Sequence, residues 1–177
     1  SLSVSPKVED PGFRTATFDQ VRDSYFEQTK ALLDAGAYTV HSACRFFNAS
    51  PVDVSAVLEN EEYEVDVRGT ILLNFGNSKT ATLAFGFNNM YRNSYSVWGT
   101  KGQLTLLRAF SLPPNFSPTM IIENQGSREE KALEPFDHFR EEIEFFCRNL
   151  NNKEMQASWR NNALQQATTL ELIRNAN

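Results

Sequence analysis

The chain has 177 residues, a formal net charge of −5, and 22% charged side chains. That length holds one domain with a single core and leaves no room for a second full domain. Lysines and arginines are dispersed without a basic cluster, and no apolar run approaches the ~20 residues of a membrane span, so neither a nucleic-acid nor a membrane partner is expected.

In chain order, Leu2-Ser3-Val4-Ser5 alternates as a strand does until Pro6 stops it, and this abrupt start fits a natural chain that begins upstream. Asp10-Pro11-Gly12-Phe13 is turn chemistry, followed by Arg14, which is either a solvated loop charge or a contact for a substrate phosphate. Thr17-Phe18-Asp19-Gln20 offers a capping box, and Val21, Tyr25, Thr29 and Leu32 then recur at helical spacing. Through Lys30–His41 the helical pattern continues, and helical spacing puts Asp34, Tyr38 and His41 on one stripe. From Tyr38 to Phe47 the apolar side is Val40, Ala43, Cys44 and Phe47. Asn48 and Ser50-Pro51 end this stretch, asparagine tolerating a left-handed cap and proline refusing to continue the helix.

The period then changes to two. Val52, Val54 and Ala56, then Val65, Val67, Gly69, Ile71, Leu73 and Phe75, alternate with polar neighbours. Gly76-Asn77 predicts a hairpin into Thr80–Asn88, where Ala81, Leu83, Phe85 and Phe87 share a face. Tyr95, Val97, Leu104 and Leu106 continue the meander around a turn at Thr100-Lys101-Gly102, and Met120–Glu123 and Glu130–Leu133 add short strands. Pro135-Phe136-Asp137 restores helical spacing, with Phe139, Ile143, Phe146 and Leu150 opposite Arg140, Glu141, Glu144 and Arg148. After Asn151-Asn152-Lys153, a last helix is expected to turn Trp159, Ala163, Ala167 and Leu170 inward. Helices at both ends and strands between them predict an α+β fold: a single, mostly antiparallel (mixed) open sheet with helices packed on one face.

Three residue types on one helical stripe define the candidate chemistry. Tyr38 can give a proton to a developing alkoxide, Asp34 can orient it, and His41 can assist either. A plainer reading has Asp34 ending a helix at Gly36, Tyr38 half-buried in the core and His41 on the surface. Asn88, Asn89 and Arg92 form a polar cluster at a strand end, suited to sugar hydroxyls or a phosphate and equally to a turn. His138 opens a helix, where a cap explains it. The eight glycines are scattered, with no Gly-x-Gly-x-x-Gly or Walker loop, so the sequence shows no cofactor-phosphate site of its own. Two histidines and no Cys/His cluster argue against a structural metal. Cys44 and Cys147 are expected as reduced, buried thiols of a cytoplasmic protein.

Leu33-Asp34-Ala35-Gly36-Ala37-Tyr38, Arg45-Phe46-Phe47-Asn48, Pro51–Ala56, Val65-Asp66-Val67-Arg68-Gly69, Phe85–Tyr95, Trp98–Gly102 and Asp137-His138-Phe139 occur in an order that resembles the second domain of the Gfo/Idh/MocA oxidoreductases. The resemblance covers nearly the whole chain and is nearest to members that reduce keto groups on nucleotide-linked deoxysugars. It implies a glyceraldehyde-3-phosphate-dehydrogenase-like C-terminal domain, with the nucleotide-binding Rossmann half absent from residues 1–177. It also implies NAD or NADP in the full-length protein, a sugar or nucleotide-sugar substrate, and a homodimer through the open sheet face around Tyr91 and Tyr95. Tyr38 is then the acid/base and Asp34 its orienting carboxylate; Arg14, His41, Asn89 and Arg92 are expected as substrate contacts from their residue types and spacing alone. Glu27-Gln28-Thr29-Lys30 stands where relatives carry a glycine-rich segment, a departure that keeps two alternatives in view: a scaffold in which the chemistry has lapsed, and a domain of some other fusion.

Overall fold

A computed structural model of the chain describes residues 32–60, 63 and 65–177. Arg14, the strand at Leu2–Ser5, the capping box at Thr17–Gln20 and the Glu27–Lys30 departure lie outside the described residues. The chain divides into two compact units, Met90–Trp159 and the remainder, which is closed by Arg160–Asn177.

Among the described residues, the first unit's earliest element is a π-helical turn, Leu32–Gly36, that runs directly into α1, Ala37–Phe47. Asn48 closes α1 in the left-handed conformation (φ 48°, ψ 45°), as the sequence predicts, and its N–H reaches back to the carbonyls of Arg45 and Cys44. Three strands follow, β1 (Asp53–Glu59), β2 (Arg68–Asn74) and β3 (Thr80–Gly86), all antiparallel in the order β1-β2-β3. Gly76, Asn77 and Ser78 all have positive φ in the β2–β3 turn, which is closed by hydrogen bonds between Phe75 and Lys79 and between Lys79 and Gly76.

Register decides which face of this sheet is covered. Ala56, Ile71 and Leu83 stand abreast, as do Val54, Leu73 and Ala81, and Leu58, Gly69 and Phe85. These rows meet Leu32, Val40, Ala43 and Cys44 from the helical side and Ile173 from the last helix, forming the core. The opposite rows, including Leu72 and Val57, are exposed. One helix-covered face and one open face follow from strict two-residue alternation.

The second unit carries four antiparallel strands in the order β4 (Tyr95–Gly99), β5 (Gly102–Leu106), β6 (Thr119–Asn124) and β7 (Ser127–Ala132). Tyr95, Leu106, Met120 and Lys131 form one row and Val97, Leu104, Ile122 and Glu129 the next, so six apolar side chains share a face. None of those six is buried. Strand β7 is fully exposed, with Arg128, Glu129, Glu130 and Lys131 along a sheet edge.

The described strands thus form two sheets where the sequence predicts one. No residue from Phe87 to Ser94 belongs to a strand, and the consecutive strands β3 and β4 do not pair. The run of Asn88, Asn89, Asn93 and Ser94 favours local turns over a ladder.

Helix α2 (His138–Asn149) starts at the N-cap Asp137, whose carboxylate accepts the Arg140 N–H at 3.1 Å, so Asp137 is the cap and His138 the first helical residue. Phe146 stacks on Trp159 at 5.4 Å, and Phe145 meets the same indole edge-on. Nevertheless α2 buries no residue, and Cys147 is exposed, correcting the expectation of two buried thiols. In α3, Lys153–Asn175, the inward residues are Thr169 and Ile173, while Ala163 and Ala167 face solvent. Thr169 tolerates burial because its hydroxyl donates to the Gln165 carbonyl at 2.8 Å, a partner that small-residue spacing does not reveal.

Candidate functional site

The stretch bearing the predicted acid and phenol is held by the first unit's sheet. Leu32 is fully buried, and its N–H donates to the Asp66 carboxylate at 2.6 Å across 34 positions of sequence. Gly36, at the other end of the turn, leaves little space for a side chain: a Cβ there would stand 3.0 Å from Cε1 of Phe85, which would have to give way. Thr39 then donates to the Gly36 carbonyl and Ser42 to the Tyr38 carbonyl, both at 2.8 Å, closing the first turns of α1. Between these anchors Asp34 is half-buried, and Tyr38 is 50% exposed one turn later.

His41 is exposed on α1 and tied to α3. Its Nδ1 lies 2.9 Å from Gln166 Oε1, while Gln166 Nε2 donates to the Ala37 carbonyl at 2.9 Å. The second bond orients the amide, so Nδ1 is the donor and a neutral His41 ring keeps its lone pair on Nε2. Arg45, Cys44, Asn162 and Gln165 line a shallow recess beside it. Burial pushes the Cys44 thiol above its ordinary range, and a hydrogen bond with Thr169 opposes this in part.

Asn89 is exposed just beyond β3, its amide folded over Gly86. Arg92 belongs to the second unit, where its Nε donates to Ser94 Oγ at 3.4 Å. Asp34, Tyr38 and His41 thus share one continuous helical segment, Asn89 stands at a strand end of the same unit, and Arg14 lies outside the described residues.

Sequence reading passed over two groups. Asp66 reads as the polar partner in a Val-Asp-Val alternation, and only the fold shows that it reaches Leu32. In the second unit, Asn93 bonds to Tyr91 Oη and to the backbone of Ala109 and Phe110. Beside it the Arg108 guanidinium stacks 4.7 Å from the Phe116 ring and 5.8 Å from Tyr91.

The described residues do not fit a dinucleotide-phosphate site. Gly36 passes from the π turn into α1 with right-handed helical backbone and lies against Phe85, so no free helix N-terminus opens there. Gly76, Gly102 and Gly126 serve hairpins. Among the described residues no group of three or more His, Cys, Asp or Glu is placed to hold a metal, and no helix is long and apolar enough to cross a membrane.

Residues 12–105, just over half of the chain, match the GFO/IDH/MocA C-terminal domain, and the chain belongs to that family.

Among particular relatives, it is 34% identical over 145 residues to the dTDP-3,4-didehydro-2,6-dideoxy-alpha-D-glucose 3-reductase of Actinomadura kijaniata, covering 81% of this chain and 44% of the relative. The reductase of the same description from Saccharopolyspora spinosa is 34% identical over 122 residues, covering 68% of this chain and 36% of that protein. The crystal structure of KijD10, a 3-ketoreductase from A. kijaniata in complex with TDP-benzene and NADP, superposes with a TM-score of 0.78 at 33% identity, covering 83% of this chain and 47% of that one. The chain spans under half the length of these relatives.

Proposed function

We propose that this chain is the substrate-binding and subunit-pairing half of an NADP-dependent reductase acting on a keto group of a nucleotide-linked deoxysugar in the cytoplasm. The observation that carries this reading is the likeness to the A. kijaniata reductase over 81% of the chain, with Asp34 and Tyr38 one helical turn apart. NADPH, bound outside this chain, would supply the hydride. This chain supplies the proton: the Tyr38 phenol donates to the sugar oxygen as negative charge develops there, and Asp34 sets the phenol's direction. A half-exposed tyrosine on a packed helix suits that task, being accessible to a substrate yet fixed at its backbone.

The remaining proposed contacts suit sugar hydroxyls and phosphate. His41, whose Nδ1 is bound by Gln166, offers Nε2 to a sugar hydroxyl, while Asn89, Arg92 and Arg14 take oxygens of the sugar or its nucleotide. The six apolar residues on the open face of β4–β6 pair with a second copy.

In the longer protein that contains this chain, Tyr38→Phe is expected to lower kcat roughly 100-fold with KM little changed; an unaltered kcat removes Tyr38 from the proton transfer. Calorimetry on the 177 residues is expected to show no NADP binding. Micromolar affinity would relocate the cofactor site into this chain.

A further inference from the structure

We infer that Asp66 is a positioning residue for Asp34 and Tyr38: through the Leu32 N–H it sets the wide turn that fixes how the two side chains are aligned. This rests on the proposed function for its catalytic meaning, though not for its geometry.

The argument begins with the anchorage of Asp66 itself. Its neighbour Val67 is fully buried, with its N–H bonded to the Glu59 carbonyl at 2.8 Å and its carbonyl accepting from Phe87 N–H at 3.0 Å. Asp66 therefore extends from backbone that the sheet has already immobilised, and its 2.6 Å bond transmits that position to Leu32. The far end of the turn is set independently. Phe85 lies between Gly36 and Gly69, in reach of both: a Cβ at Gly69 would fall 2.6 Å from its Cζ, and one at Gly36 would fall 3.0 Å from its Cε1. One end of Leu32–Gly36 is thus held by a carboxylate from the segment leading into β2 and the other by a ring from β3.

A turn clamped in this way has a consequence for its middle residue. In an α-helix each residue advances about 100°, so positions i and i+4 are offset by roughly 40°. A π turn bonds i to i+5 and winds more slowly, which closes that offset. Asp34 lies inside the π turn and Tyr38 just beyond it, so the pair is better aligned than in a regular helix. Releasing the Leu32 N–H lets the turn relax to ordinary winding and rotates Asp34 away from Tyr38.

Two variants of Asp66 separate positioning from mere support. Asp66→Ala removes the acceptor, whereas Asp66→Asn retains a carbonyl oxygen in its place. In the 177-residue chain, amide exchange at Leu32 is expected to accelerate in Asp66→Ala and stay slow in Asp66→Asn, with the Asp34 and Tyr38 resonances displaced only in the former. In the longer cofactor-bearing protein, Asp66→Ala is expected to lower kcat by roughly 10- to 100-fold with KM within about twofold, and Asp66→Asn to recover most of the loss. Gly36→Ala, which pushes on Phe85 from the other end, should displace the same resonances, and it serves as the test if Asp66→Ala does not fold. Unmoved Asp34 and Tyr38 signals in the folded variant overturn the inference, as does a wild-type kcat in Asp66→Ala. A wild-type protein inactive on every nucleotide-linked keto sugar tried would instead sink the proposed function, and the resonances would still decide the geometry.

Discussion

Individual side chains in this protein differ sharply in how far the sequence announces them. Asn48 declares its left-handed cap because the cause is local: an asparagine followed closely by proline after an apolar helical stretch. Asp66 and Gln166 do not, since their partners lie 34 and 125 positions away and a one-dimensional pattern holds no such distance. Gly102 is an intermediate case. Its turn is legible, but its need for glycine comes from β6, where a Cβ at 102 would sit 2.3 Å from the Glu123 carbonyl oxygen. Gly102→Ala is therefore expected to cost about 1–3 kcal/mol in urea unfolding, because a backbone oxygen cannot swing aside as a side chain can. Ile71→Ala, at a fully buried site in the middle strand, should cost about 2–5 kcal/mol by the same measurement. Cys44 adds a pH dependence of known sign. Its folded thiol holds its proton above the ordinary value of 9.0, so the unfolded chain ionises first and stability falls as pH rises beyond that value. Cys44→Ala should flatten this alkaline decline in unfolding midpoints measured from pH 8 to 11.

At the level of helices and strands, the two-residue alternation was the more reliable guide. It identifies β1 to β3 and their covered face, because every strand in that sheet packs one side against helices. Helical periodicity was less informative wherever a helix is only partly covered. In α3 the small residues Ala163 and Ala167 mimic an inward stripe, yet burial falls to Thr169 and Ile173, whose shapes and bonding suit the sheet. In α2 the apolar positions remain accessible, and its charges form surface pairs, Arg140–Glu144 at 2.8 Å and Arg148–Glu144 at 3.6 Å. The Arg140 hydrogen bond draws the Glu144 carboxyl below its usual range, though pairs this exposed add little stability. The cap matters more: Asp137→Ala is expected to lower stability by about 1 kcal/mol, seen as earlier loss of helical circular dichroism on heating.

For the molecule as a whole, the α+β class and the family were legible from ordered short motifs, and the division into two sheets was not. Whether β3 and β4 pair depends on hydrogen bonds that an asparagine-rich connector forgoes, a negative event that apolar alternation cannot record. The open face on β4–β6 makes a prediction at this scale. If Val97, Leu104 and Ile122 meet their counterparts in a second copy, Leu104→Arg should turn a dimer into a monomer by light scattering while leaving the fold intact. A wild-type monomer at high concentration would exclude that interface. Strand β7 bears on how such an assembly stops. Among the described residues no strand pairs with its outer edge, and four consecutive charged side chains line that border, so any newcomer would have to strip them of water. That charged border opposes side-by-side growth into fibrils, and replacing Arg128–Lys131 by threonines should make concentrated solutions gel.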